Sequence, residues 1–170
     1  MKNVKFLLSA ALVFLASAAL AQDFSAPQYA KWGATPEERE QNILNSNFLK
    51  ESCDNRDYDA AAHYLKGLID KIPDAAESIY QRGAVVYKNK INRAKSVAEK
   101  NMFIDSLMLM YDMRAQYFGD NVKPGKTAFI LDQKAREFLR YKPNDRKGIR
   151  EAFRAAIAQG GDSTDTETVV

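Results

Sequence analysis

The stretch that most limits what this chain can fold into runs from Asp57 to Pro73. Tyr58, Ala61, Leu65, Leu68 and Ile72 fall at steps of three or four residues, and Pro73 follows at once. That spacing lays all five side chains along one side of an α-helix, as an apolar stripe that another element must cover. Pro73 has no amide hydrogen and its ring crowds the preceding turn, so the helix has to end there. No stretch alternates apolar and polar residues in the manner of a half-buried strand. The expectation is an all-α chain.

Start and stop signals divide the rest in the same way. Thr35-Pro36-Glu37-Glu38 reads as a capping box with proline at the first helical position, opening a helix that carries Ile43, Leu44, Asn47, Phe48 and Ser52 and stops near Asp54-Asn55. The Tyr58 helix comes second. Asp74 then reads as a cap and Glu77 as the other half of a second capping box, with Ile79, Tyr80, Gly83, Val86 and Tyr87 on the buried face of a third helix. Ser96-x-x-Glu99 opens a fourth, which holds Met102, the unbroken apolar run Leu107–Tyr111, Tyr117 and Phe118. That run predicts a helix buried on several sides rather than a methionine-rich binding face. The polar stretch between Lys88 and Asn101 leaves open whether the third and fourth helices are continuous. Gly119-Asp120, Pro124-Gly125 and Pro143-Asn144 are the later breaks. They bound a fifth helix ending near Tyr141 and a sixth from about Asp145 to Gln159. Six helices with short connections predict three antiparallel hairpins over residues 35–160.

The two ends read differently. Lys2 and Lys5 precede an apolar run from Phe6 to Leu20, and Ala19-Leu20-Ala21 supplies small residues at the cleavage spacing, so residues 1–21 are expected to be a signal peptide. A spanning helix needs about 20 apolar residues, and no later segment is apolar enough. The expected mature protein is exported, periplasmic or secreted, and has no membrane span. Residues 22–34 read as a polar, irregular arm containing Trp32. Residues 161–170 read as a polar tail or as the start of a missing helix. Loss of Lys2 and Lys5 lowers the formal charge from +3 to +1. That near balance argues against a nucleic-acid partner, which calls for a basic face.

Candidate chemistry is sparse. Cys53 is the only cysteine and cannot form an internal disulfide; His63 is the only histidine. A Cys–His nucleophile pair would need an orienting third group and an oxyanion site. Asp54, Asp57 and Asp59 lie near both residues but read as turn and cap residues. Gly119–Thr127 ends in Gly-Lys-Thr, yet five residues separate its glycines where a phosphate-binding loop has four, and a helix precedes it rather than a strand. Asp54–Asp59 lacks the central glycine and terminal Glu of a calcium loop. No cofactor, no metal and no catalytic residue is expected.

Tyr58, Ala61, Leu65, Leu68 and Pro73, with Gly83 ten positions further on, resemble the tetratricopeptide repeat family. In that pattern aromatic and bulky residues flank a small one where two helices touch, and proline follows the second helix. The likeness is best over residues 42–87. It weakens beyond, where Pro73 and Pro124 lie 51 positions apart against a family period of 34, and where Asn45 and Leu49 depart from the usual types. The whole chain looks like the amino-terminal part of exported tetratricopeptide-type proteins of Gram-negative bacteria. The resemblance implies a right-handed superhelix of about three stacked helix pairs that holds a partner protein or peptide on its inner face. Ile43, Ser46, Asn47, Lys50, Tyr80, Gln81, Ala84, Tyr87 and Lys88 would line that face. Only Asn47 and Lys50 are similar to the set that clamps a peptide carboxylate, so that ligand is not expected. The implied function is a non-enzymatic interaction scaffold of the cell envelope. The alternatives are an accessory segment or fragment of a larger envelope assembly, and a thiol enzyme using Cys53.

Overall fold

In the computed structural model, residues 22–160 are described. The expected signal peptide, 1–21, and the expected tail, 161–170, lie outside the described residues. A 3-10 helix, Pro27–Trp32, is followed by α1 (Pro36–Asp54), α2 (Tyr58–Lys71), α3 (Glu77–Arg93), α4 (Val97–Phe118), α5 (Lys126–Tyr141) and α6 (Arg146–Gly160). No strand occurs among the described residues.

Most helix starts follow local chemistry. The Glu38 amide donates to Thr35 Oγ1 at 3.2 Å and the Thr35 amide to Glu38 Oε2 at 3.3 Å, closing the expected box on α1. Asp57 Oδ1 accepts from the Ala60 amide at 3.1 Å and caps α2. Ser96 Oγ accepts from the Glu99 amide at 3.1 Å, while the Glu99 carboxylate reaches past Ser96 to the Lys95 amide at 2.7 Å. That cap, with Ala94–Ser96 outside any helix, separates α3 from α4.

Three expectations need correction. The second capping box does not form: α3 begins at Glu77 after an extended Ala76, with no side-chain cap, because Glu77 turns instead toward Arg114 and Lys126. The arm is not irregular throughout. Arg39 donates to the carbonyls of Gly33, Phe24, Ser25 and Ala34, and Asn42 donates to the Trp32 carbonyl at 2.8 Å, tying the 3-10 helix to α1. The run Leu107–Tyr111 is buried except at its centre, where Leu109 is 52% exposed.

The helices pack as α1 on α2, α3 on α4 and α5 on α6, with α2 also on α3, α4 on α5 and α1 on α3. Leu65, Leu68, Ile79 and Tyr80 sit in one buried cluster, and Ile104, Leu107 and Ile130 in a second. Full burial of a leucine or isoleucine of this kind stabilises by about 1.5–3 kcal/mol. Small residues set the closest approaches. Ala61 is fully buried. A Cβ placed on Gly83 would lie 2.6 Å from Met110 Sδ and 3.2 Å from Leu65 Cδ1, so α2, α3 and α4 meet at a position that has room only for hydrogen.

Two ion pairs relate α3 to α5. Lys126 donates to Glu77, and Lys88 donates to Glu137; each pair spans 49 positions. Equal separations mean that both helices advance in the same direction, so α3 and α5 run parallel across α4. The two pairs lie eleven residues apart on each helix, about 16 Å at 1.5 Å per residue.

Candidate functional site

Two concavities flank the α3–α4 hairpin. The smaller is a depression of about 150 Å³ lined by Tyr80, Gln81, Ala84, Val85 and Lys88 of α3 and by Met110, Tyr111 and Arg114 of α4. Four of the residues expected on an inner face, Tyr80, Gln81, Ala84 and Lys88, are brought together here. They are not equally available. Gln81 is exposed. Tyr80 is only 1% exposed, donates its hydroxyl to the Pro73 carbonyl at 2.6 Å and stacks on Tyr117 at 6.3 Å between ring centres. Tyr80 is therefore a core residue that joins the α2–α3 turn to α4, and it does not offer a partner its ring.

Lys88 is half-buried and committed within the protein. Its ammonium lies 2.5 Å from Glu137 Oε1 and interacts with the Tyr111 hydroxyl. Burial opposes its charge most strongly, but Glu137 and Tyr111 outweigh it and raise Lys88 above the ordinary lysine value. Burial pushes the Tyr111 phenol up as well. Glu137 is buried, and its Oε2 has no hydrogen-bond partner; Arg140 stands 3.5 Å from Oε1. At the other end, Arg114 donates to Glu77 at 2.9 Å and to Gln133 Oε1 at 2.9 Å. The cations around this depression are thus already neutralised by side chains of α3 and α5.

The larger concavity, a trough of about 500 Å³, lies between α2 and α4, both of which pack on α3. Its walls are largely apolar: Ala62, Leu65 and Ile69 on α2, Met102, Phe103, Leu109 and Met110 on α4, with Tyr87 of α3 between them. Met102 and Leu109 are more than half exposed at 55% and 52%. His63, Lys66, Asp70, Lys90 and Ser106 supply the polar lining. Lys90 is held by Asp59 and sits 5.2 Å from the centre of the Phe103 ring. Of the residues expected on an inner face, only Tyr87 lies in this trough. The sequence signal for it, overlooked in the one-dimensional reading, is Met102, Ser106 and Leu109 at steps of four and three along α4.

Asn47 and Lys50 lie on exposed positions of α1 and line neither concavity. Lys50 pairs with Asp54 at 2.5 Å. Ile43 is half-buried and Ser46 is buried. Cys53 is half-buried, packs at the edge of the first core cluster, and has its thiol pushed up by burial. His63 is exposed and lies edge-on to Tyr64 at 5.6 Å. The Gly119–Thr127 loop closes on itself: Asp120 and Thr127 exchange two hydrogen bonds of 2.9 Å, and Lys126 goes to Glu77. Among the described residues, no three His, Cys, Asp or Glu side chains gather as a metal site, and no helix is long and apolar enough to cross a membrane. The chain matches no family model, no curated protein and no solved structure.

Proposed function

We propose that this protein is a non-enzymatic interaction scaffold whose helix hairpins stack in the manner of tetratricopeptide repeats, and that it seats an amphipathic helix of a partner protein in the trough between α2 and α4. Export to the envelope is part of the reading and rests on the character of residues 1–21. The observation that carries the docking proposal is the trough itself: exposed Met102 and Leu109 face Ala62 and Ile69 across an apolar channel. An amphipathic helix lays its apolar face into such a channel, and methionine adapts to the side chains it meets. The parallel register of α3 and α5 and the close approach at Gly83 support the repeat-like stacking.

The test is affinity capture from envelope extracts with the chain from Gln22 onward as bait, beside the same chain carrying Met102→Glu and Leu109→Glu. Both positions are exposed, so each substitution should alter stability by less than about 0.5 kcal/mol. A partner retained by the first bait and lost by the second is the expected result. Equal capture by both baits would place the partner elsewhere, and capture of nothing reproducible would remove the scaffold reading.

A further inference from the structure

Every methionine beyond Met1 lies on α4: Met102, Met108, Met110 and Met113. The fold treats them differently. Met108 and Met110 are 8% and 3% exposed, and the Met110 sulfur is turned toward Gly83. Met113 is half-buried beside the first core cluster. Met102 is 55% exposed and stands on the α4 wall of the α2–α4 trough. A thioether is oxidised where an oxidant can reach its sulfur, and the sulfoxide puts a polar group where a flexible apolar one had been. We propose that Met102 is an oxidation site of this protein, with peroxides as the chemical class that modifies it, and that its sulfoxide closes the trough to an apolar partner. The closing of the trough rests on the docking reading; the oxidation site does not.

The chemistry needs only the peroxide. The Met102 sulfur attacks one oxygen of hydrogen peroxide; an S–O bond forms as the O–O bond breaks, and the sulfur gives up two electrons. The departing hydroxide takes the proton of the new S–OH group and leaves as water. One sulfoxide and one water thus replace one thioether and one peroxide. The new oxygen is a strong hydrogen-bond acceptor, well solvated in an open trough and costly under an apolar cover that offers no donor. Most donors of the trough are already engaged. Ser106 gives its hydroxyl to the Met102 carbonyl at 2.9 Å, Lys66 pairs with Asp70, and Lys90 pairs with Asp59. His63, the remaining donor, is exposed on the opposite wall, so a helix seated between the walls separates it from the sulfoxide. A partner laid over Met102 must therefore draw a donor out of these contacts or leave the sulfoxide oxygen unpaired. Docking then weakens by about tenfold or more, the usual cost of a buried polar group without a partner.

The test treats the full chain with hydrogen peroxide under native conditions, with Cys53→Ala in place to remove the thiol that peroxide also attacks. Sulfoxide is mapped by mass spectrometry of peptides. It should form at Met102 several-fold faster than at Met108 or Met110; equal rates, or a slower Met102, would overturn the oxidation site. The same material then serves as bait in envelope extracts. Beside it stand Met102→Leu, which keeps the apolar bulk without the sulfur, and Met102→Gln, which stands in for the sulfoxide. Leucine, glutamine and methionine have similar helix propensities, so circular dichroism should be unchanged. A partner held by the untreated chain should be lost on oxidation and regained after treatment with methionine sulfoxide reductases. The Met102→Leu chain should hold it with or without peroxide, and the Met102→Gln chain should not hold it. A partner that stays on the oxidised chain, or that also leaves the oxidised Met102→Leu chain, would overturn the closing of the trough. Capture of nothing by the untreated chain would remove the docking reading and the closing with it, while the sulfoxide map still decides the oxidation site.

Discussion

Lys126 Nζ donates to Glu77 Oε2 at 2.7 Å, and this one contact joins the first residues of α3 and α5. Arg114 takes the other oxygen of the same carboxylate at 2.9 Å, so a single side chain spans three helices. Burial works against the Glu77 charge, but Lys126 and Arg114 outweigh it and hold the carboxyl below the ordinary glutamate value. A depressed folded value means stability that is present above the unfolded value of 4.5 and is lost as pH falls through the folded one. Glu77→Gln should therefore lower stability by about 2 kcal/mol at neutral pH, the scale of hydrogen bonds to a charged group. The gap between variant and parent should close in acid below that window. Denaturant midpoints at pH 7 and at pH 3 measure both effects, and a gap independent of pH would contradict the role given to the carboxylate.

Gly83 faces Met110, and a methyl group added there would lie 2.6 Å from the sulfur. The obstacle is the far end of a flexible side chain, so Gly83→Ala should cost about 1–3 kcal/mol rather than prevent folding. Gly83→Val should cost more. Shortening the neighbour with Met110→Ala opens the space that Gly83→Ala needs. The two changes together should then destabilise less than the sum of the single changes, by at least about 0.5 kcal/mol in a double-mutant cycle. Strict additivity would mean that the two helices do not touch at this point.

What could be read from one dimension was what neighbouring residues decide. Thr35 with Glu38, Asp57 and Ser96 cap their helices because each partner is three residues away. Glu77 defeated the same logic: its strongest partners are 37 and 49 positions distant, and two cations win over one local amide. Gly83 was found through its spacing from Pro73. Tyr80 carried two readings: helical spacing put it on the buried face of α3, where it is, and only the repeat resemblance put it on a partner-binding face. The α2–α4 trough was missed outright. An unbroken apolar run signals burial all round, and only the positions of α2 and α3 show that Leu109 is left uncovered.

Tyr80 offers a separate test of the core. Its phenol is buried, close to Tyr117 and Asp74, and is raised above the ordinary tyrosine value, with burial the largest cause. A raised value gives stability that is complete below the unfolded value of 10 and is lost as pH climbs beyond it. Ultraviolet titration should show one tyrosine that stays protonated until the protein unfolds in alkali, and Tyr80→Phe should remove that signal. The same substitution deletes the hydrogen bond to Pro73 and should cost about 1 kcal/mol in melting experiments. A phenol that titrates freely in the folded protein would place Tyr80 at the surface.

Cys53 decides between a scaffold and a thiol enzyme. The nucleophile is the thiolate, and a working cysteine is lowered by nearby cations or a helix N-terminus. Here burial dominates and raises the thiol; Arg82 pulls the other way and Asp54 adds to the rise. Cys53 also sits near the end of α1, where the helix dipole disfavours an anion. Alkylation of the native protein at neutral pH should run several-fold slower than that of free cysteine, quicken as pH rises past the ordinary thiol value, and reach the free rate in denaturant. Cys53→Ala should leave partner capture intact. A native thiol that reacts faster than free cysteine would reverse the assignment, because only a stabilised thiolate reacts in that way.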